Sequence, residues 1–212
     1  MQAANRWKAT ALALMLGIAG APFAAADDFE LTPAESQRVA GGEIVIRANL
    51  DASQRRGTVR AALFIDAPPG LVFEAMTRCA DAVRYVPHLR LCRVRDRAPD
   101  DSWQLVEHEI DFGWYAPRLG YVFRADFVAG QKITFRQISG DFKANEGVWE
   151  FQPAGAGTLV RYRVHIDPPG FVPNWLARST FKRELPKMLA DLRKHCESGH
   201  RQRSQPTVAP PN

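Results

Sequence analysis

The chain contains no Gly-x-Ser-x-Gly elbow, no His-Glu-x-x-His pair, no phosphate-cradling glycine loop and no Cys-x-x-Cys. These gaps exclude the common serine-hydrolase, zinc-peptidase, nucleotide-binding and dithiol chemistries at the level of motif. A strong charge of one sign is also missing. The 28 basic and 23 acidic residues leave a formal +5, or about +3 once Arg6 and Lys8 are removed with a leader, spread along the sequence. That is too mild to point to nucleic acid, although it permits contact with an anionic membrane surface. There is no long hydrophobic run: the longest, Ala9–Ala21, is about 13 residues, against the roughly 20 a spanning helix needs. Arg6 and Lys8 precede that run, and Ala24-Ala25-Ala26 offers small residues before Asp27, which is the pattern of a cleavable secretory leader over 1–26. No cysteine lies near the cut, so a soluble periplasmic protein is expected rather than a lipoprotein. No internal repeat is present.

What is there is an order of elements. Val59-Arg60-Ala61-Ala62-Leu63-Phe64-Ile65 alternates as a strand, and Asp66-Ala67-Pro68-Pro69 ends it, because proline fixes φ and supplies no ladder N–H. The same prolines suit the first turn of a helix. Apolar residues from Leu71 to Met76 then recur at helical spacing, and Tyr85-Val86-Pro87 closes a second short helix. Six strands are predicted near 89–96, 103–113, 119–128, 131–139, 143–152 and 158–167, with connections short enough for an antiparallel meander. After Pro168-Pro169-Gly170 the period returns to helical, with Trp175, Phe181, Leu185, Met188, Leu189, Leu192 and Cys196 near one stripe. Pro186 predicts a kink or break within it, and Gly199 a stop. About 186 residues remain after the leader, one domain's worth. The expected plan is an N-terminal segment over 27–41, one domain over 42–198 and a disordered tail over 199–212.

The run Ile65-Asp66-Ala67-Pro68-Pro69-Gly70-Leu71-Val72-Phe73, followed by Tyr85-Val86-Pro87, Gly140-Asp141-Phe142-Lys143, Gly147-Val148-Trp149-Glu150-Phe151 and Gly157-Thr158, resembles the START-like (SRPBCC, helix-grip) superfamily. Within it the chain is most similar to the polyketide cyclase and coenzyme-Q-binding branch, over about Gly42 to Ser198. Arg78 departs from the pattern, since many relatives carry aspartate there. The resemblance implies an α+β fold in which a curved antiparallel sheet wraps around a long C-terminal helix, with two short helices after the first strand. It also implies a cavity between sheet and helix for a lipid, isoprenoid or aromatic molecule.

Alternation assigns the faces of the strands. Val59, Ala61, Leu63 and Ile65, then Tyr121, Phe123, Ala125 and Phe127, then Val160, Tyr162, Val164 and Ile166 share inward sides, opposite Arg60, Arg124, Asp126, Arg161 and Arg163. Ile133, Phe135, Trp149 and Phe151 are their companions. Periodicity alone is satisfied by a plain core, whereas the resemblance implies a lined cavity. The candidate ligand-contacting residues are therefore His108, Phe112, Trp114, Tyr121, Phe123, Phe135, Trp149, Tyr162, Trp175, Phe181 and Leu185. His108 could bond a ligand carbonyl or hydroxyl, or be a satisfied core histidine. The segment Asp111–Pro117 could form a lid, and Trp175 could close the same entrance or anchor the helix.

Glu107 and Glu109 flank His108, but strand alternation turns them to the other face, so no metal site converges there. No catalytic residue, metal or cofactor is expected. The reading is a non-enzymatic periplasmic carrier of a hydrophobic small molecule or lipid, expected as a monomer without nucleic-acid partners; a polyketide cyclase or aromatase-like enzyme in the same cavity is the rival. Ten buried carbons would give it a gross affinity of about 8 kcal/mol. Cys79, ending one helix, and Cys92, beginning a strand, could form a disulfide worth roughly 3 kcal/mol or remain two buried thiols; Cys196 would be the unpaired one.

Overall fold

The computed structural model describes residues 29–114 and 116–204. The leader assigned to 1–26, with its cleavage point, and positions 205–212 of the tail lie outside the described residues. Eight strands form one antiparallel sheet: β1 Val45–Leu50, β2 Gly57–Ile65, β3 Leu89–Arg97, β4 Trp103–Ile110, β5 Leu119–Val128, β6 Lys132–Gly140, β7 Ala144–Ala154 and β8 Gly157–Asp167. Their order across the sheet is β1-β2-β8-β7-β6-β5-β4-β3, so β3 to β8 are the expected meander and β8 returns to pair with β2. Between β2 and β3 stand the two short helices α2, Pro69–Thr77, and α3, Cys79–Tyr85. With the long helix at the C-terminus, the architecture is α+β and of the helix-grip type.

Two elements enter that the periodicities did not predict. The helix α1, Pro33–Ala40, is opened by a capping box in which Thr32 and Glu35 satisfy each other's backbone N–H groups, with Pro33 at its first position. Edge strand β1 follows it. Together they cover the reverse of the sheet, where Phe29, Val39 and Val45 pack on Ala62, Phe64 and Leu159. Glu35 also pairs with Arg47 of β1, a contact that holds the Glu35 carboxyl down to about 2.

The C-terminal helix differs from expectation in two respects. It runs as α4 Asn174–Ser179, a π-helical turn Thr180–Glu184 and α5 Leu185–Ser204. Pro186 causes no break. The N–H of Leu185 donates to the carbonyl of Thr180, five residues back, and this widened turn gives the proline ring its room while the helix continues. Gly199 does not stop it either, and 199–204 are helical rather than a disordered tail. Tertiary bonds override the glycine: Arg203 reaches Glu74 on α2 at 2.9 Å, and Glu197 accepts from the Asp66 N–H at 3.2 Å.

Alternation is borne out on the inner face. Val59, Leu63, Ile65 and Val160 are wholly buried, and Leu189 and Leu192 of α5 are buried with them. Each such side chain contributes roughly 1.5–3 kcal/mol relative to an exposed one. The α5 stripe is thus consumed in packing, which decides where empty space is left.

Candidate functional site

An internal cavity of about 170 Å³, partly open to solvent, lies against the inner face of β4 to β8. Its roof is not chiefly the C-terminal helix, from which Met188 alone contributes. Met76, Thr77, Arg78, Cys79, Ala82, Tyr85 and Val86 from α2 and α3 cover it instead. The physical reason is the solid packing of Leu185, Leu189 and Leu192, which leaves no room beneath α5. The volume is below the roughly 300–1,000 Å³ usual for small-molecule sites. A wider hollow of about 790 Å³ lies on the reverse of the sheet, but its walls are charged, with Arg60, Lys132, Arg136, Glu146, Glu150 and Arg163.

The strands supply aromatic walls. Trp149 stacks on Tyr162 with centroids 3.7 Å apart, and Phe135 and Phe123 continue the row towards His108. Phe135 reaches its place because Gly147 faces it across β6 and β7: a Cβ there would lie 2.8 Å from the Phe135 ring and 2.2 Å from the Arg163 carbonyl oxygen. At the far end the Tyr121 ring meets the edge of Phe142, from the turn between β6 and β7.

One polar pair lies within this lining. His108 on β4 and Tyr121 on β5 are direct cross-strand neighbours, and His108 Nδ1 and Tyr121 Oη share a hydrogen bond of 3.1 Å. Burial holds the imidazole down to about 4 and raises the Tyr121 and Tyr162 hydroxyls above their ordinary range. At neutral pH His108 is therefore uncharged, and its Nε2 has no protein hydrogen bond among the described residues. Glu107 and Glu109 do point away, to Arg95 at 3.1 Å and Arg118 at 3.2 Å. Among the described residues no group of His, Cys, Asp and Glu could hold a metal ion. Chemically the site can orient one neutral hydrogen-bonding group among aromatic walls, and it would disfavour a carboxylate or phosphate. Among the described residues Arg78 is the only cation in the lining, and its guanidinium is occupied by Glu74 and Asp81, at 2.7 and 2.6 Å.

Arg78 and Asp81 also tie the roof down, because Asp81 is buried and its Oδ1 lies 3.2 Å from His195 Nε2 on α5. The roof has a second tie. Cys79 and Cys92 form a disulfide with Cα atoms 5.1 Å apart, joining the start of α3 to β3, and both line the cavity. Cys196 is free, and burial pushes its thiol up to about 12, far from the reactive range.

His108, Tyr121, Phe123, Phe135, Trp149 and Tyr162 are brought together around the cavity. Five other candidates are not. Phe112 packs on His88 outside the lining, with centroids 5.0 Å apart, and Trp114 is 96% exposed in the loop after β4. Trp175 is 57% exposed, so it does not anchor its helix by burying the ring. Phe181 and Leu185 belong to the packed core, since the π-helical turn and the interior under α5 hold them away from the open space. The helical lining, Met76 to Val86, was missed: helical spacing marks an apolar face but not the sheet region beneath it. Gln104 and Asn145, on strand faces adjoining the aromatics, could have been found from alternation.

Comparison with known proteins agrees with this geometry. Residues 65–193 match the family model for polyketide cyclase / dehydrase and lipid transport. Among solved structures, a STAR-related lipid transfer protein from Xanthomonas axonopodis superposes with a TM-score of 0.62 at 19% identity, covering 72% of this chain and 93% of that one. The Zhui aromatase/cyclase from Streptomyces sp. R1128 gives 0.56 at 14%, covering 71% and 96%. A START superfamily protein from Mycobacterium smegmatis gives 0.54 at 15%, covering 69% and 99%. At these identities the likeness is one of fold. No curated protein matches the chain in sequence.

Proposed function

The chain belongs to the polyketide cyclase / dehydrase and lipid transport family, of START-like fold, and from that membership we propose that it is a periplasmic binding or transfer protein for a small, uncharged, largely apolar molecule. The observation that carries this reading is the aromatic cavity with one buried neutral pair, His108 and Tyr121. Export is supported by the pattern of 1–26, and a stapled roof suits an oxidising compartment. Hydrophobic-ligand binding is the common ground of the family description and the lipid transfer neighbour.

The volume bounds the cargo. An apolar cavity of roughly 150 Å³ takes one benzene-sized ring, so 170 Å³ suits a single substituted ring with a carbonyl or hydroxyl for His108. Six buried carbons contribute about 5 kcal/mol, a Kd of order hundreds of micromolar. A lipid or isoprenoid tail would need the flexible Met76 and Met188 to move aside. A poly-keto chain would need the same movement, so the volume favours a single-ring ligand over both.

Native mass spectrometry of the purified protein, with solvent extraction of whatever it carries, tests this. Titration with substituted phenols, followed by quenching of tryptophan emission, adds a second readout. Saturable binding of neutral single-ring compounds, weakened about tenfold in His108→Leu and absent for matched carboxylates, is expected. No bound molecule and no saturable binding would overturn it.

A further inference from the structure

We propose that the end of the sheet bearing Trp114, Phe171 and Trp175 is a docking edge for an anionic lipid bilayer. The topology brings these residues together. In the antiparallel order, β4 and β8 run in the same direction, so the loop after Ile110 and the loop after Asp167 leave the same end of the sheet. His88, in the turn before β3, links the two segments at this end: Phe112 packs on it, and its Nε2 lies 3.7 Å from Glu184 at the end of the π-helical turn.

On this edge large apolar side chains face water. Trp114 is 96% exposed, Trp175 57% and Phe171 53%. The adjoining helix is sided, because Leu176 and Ala177 are buried while Trp175 and Arg178, three apart, are exposed. Charge on the same segment has one sign. Residues 168–183 contain Arg178, Lys182 and Arg183 and no carboxylate, and the bounding Asp167 and Glu184 face Arg56 and His88 at 3.9 and 3.7 Å, which leaves this segment with an excess of positive charge. Arg178 meets only the Ser53 carbonyl, at 3.4 Å, and Lys182 and Arg183 have no ion-pair partner among the described residues.

Exposed aromatic rings rimmed by an excess of cations are what a headgroup layer accommodates. Tryptophan lodges at that depth with its N–H wet, and each cation gains from the negative surface potential. The cavity reaches this end through Tyr121 and its contact with Phe142. The inference does not depend on which molecule the cavity holds.

Co-sedimentation with phosphatidylcholine vesicles, with and without phosphatidylglycerol, tests it. The protein is used as the expressing host processes it, so wild type and variants share one N-terminus. Wild type is expected to bind the phosphatidylglycerol vesicles at low salt, with a blue shift of tryptophan emission, and to release as salt rises. Trp114→Ala combined with Trp175→Ala should weaken partition at least about tenfold without altering the melting curve, both rings being outside the core. Lys182→Glu with Arg183→Glu should remove the preference for the anionic lipid. No partition by wild type, equal binding by both variants, or a wild-type dimer in sedimentation velocity that the tryptophan variants dissolve would each overturn the proposal, the last assigning the edge to a second copy.

Discussion

The two halves of the interior are built differently. Under α5 the side chains of β2, β8 and the helix interlock with nothing left over: Val59, Leu63, Val160, Leu189 and Leu192 are completely buried. Under α2 and α3 the strands offer larger, mostly aromatic side chains, and the short helices cover them without filling the space. Branched aliphatic groups pack by adapting to one another, whereas flat rings such as Trp149 and Tyr162 stack in pairs and leave a gap at their edges. One half stabilises, and the other retains room. The ties over the roomy half, the Cys79–Cys92 disulfide and the Arg78–Asp81–His195 cluster, do what close packing does elsewhere.

Adjacent residues of α5 allow this contrast to be broken directly. Leu189 is fully buried in the packed half, while Met188 points to the cavity. Leu189→Ala should cost about 3–5 kcal/mol in urea unfolding, because the void it leaves cannot collapse. Met188→Ala should cost only about 1–2 kcal/mol, since its side chain already borders empty space, and should admit larger ligands. Equal losses would mean that the two halves are equally solid.

The next effect comes from the polar pair. The His108 imidazole titrates near 6.5 when unfolded and is held down to about 4 when folded, so on acidification the unfolded chain takes up its proton first. The stability contributed by keeping His108 neutral is complete above pH 6.5. It declines as pH falls towards 4 and amounts to about 3 kcal/mol lost over that window. His108→Leu should lack this component, so the difference between wild-type and variant stability should change between pH 7 and pH 4 and level off below. A difference that stays flat across this window would mean that the histidine meets water in the folded protein.

The halves also differed in how far they could be read in advance. Period-two alternation runs along β4 to β8, interrupted by a register shift between β5 and β6 at Val122/Phe123, and it placed these strands and the six candidate residues that line the cavity, His108 and Tyr121 among them. Burial on one face imposes that pattern, so the pattern reports the face. The roof residues carry no such signal. Nothing in the spacing of α2 and α3 says that Met76 and Arg78 line a cavity, because this depends on how the helices cross the sheet, which the contact of Asp81 with His195 and the bond of Cys79 to Cys92 hold in place. The edge strand β1 does alternate over Ile46-Arg47-Ala48-Asn49-Leu50, with Ile46 and Leu50 on the core and Arg47 on the reverse face, but so short a run carries little signal on its own. The start of α1 went unread although Thr32-Pro33-Ala34-Glu35 carries a capping-box pattern, because a search for apolar periodicity passes over it. The continuation past Gly199 was not, since the local stop signal is overruled by contacts to Glu74 and Asp66. Trp114 entered as part of a lid over the sheet end and Trp175 as a closure of the same entrance or an anchor for its helix; the structure leaves both rings largely exposed and outside the cavity lining.

The smallest effect would be the most telling about the cavity. Ala125 on β5 is buried and borders the open space between Phe123 and Phe127. Valine there adds two methyl-sized groups to a void and suits a strand backbone, where β-branching costs little. At about 0.8 kcal/mol per buried carbon, less the strain of imperfect fit, Ala125→Val should stabilise the protein by roughly 0.5–1 kcal/mol. The same change should weaken binding of a ring-sized ligand, because the added methyls occupy its volume. A gain in stability with a loss of binding is what a cavity retained for a ligand predicts. A loss of stability would mean that the space beside Ala125 is already closed in solution, and the distinction between the two halves would go with it.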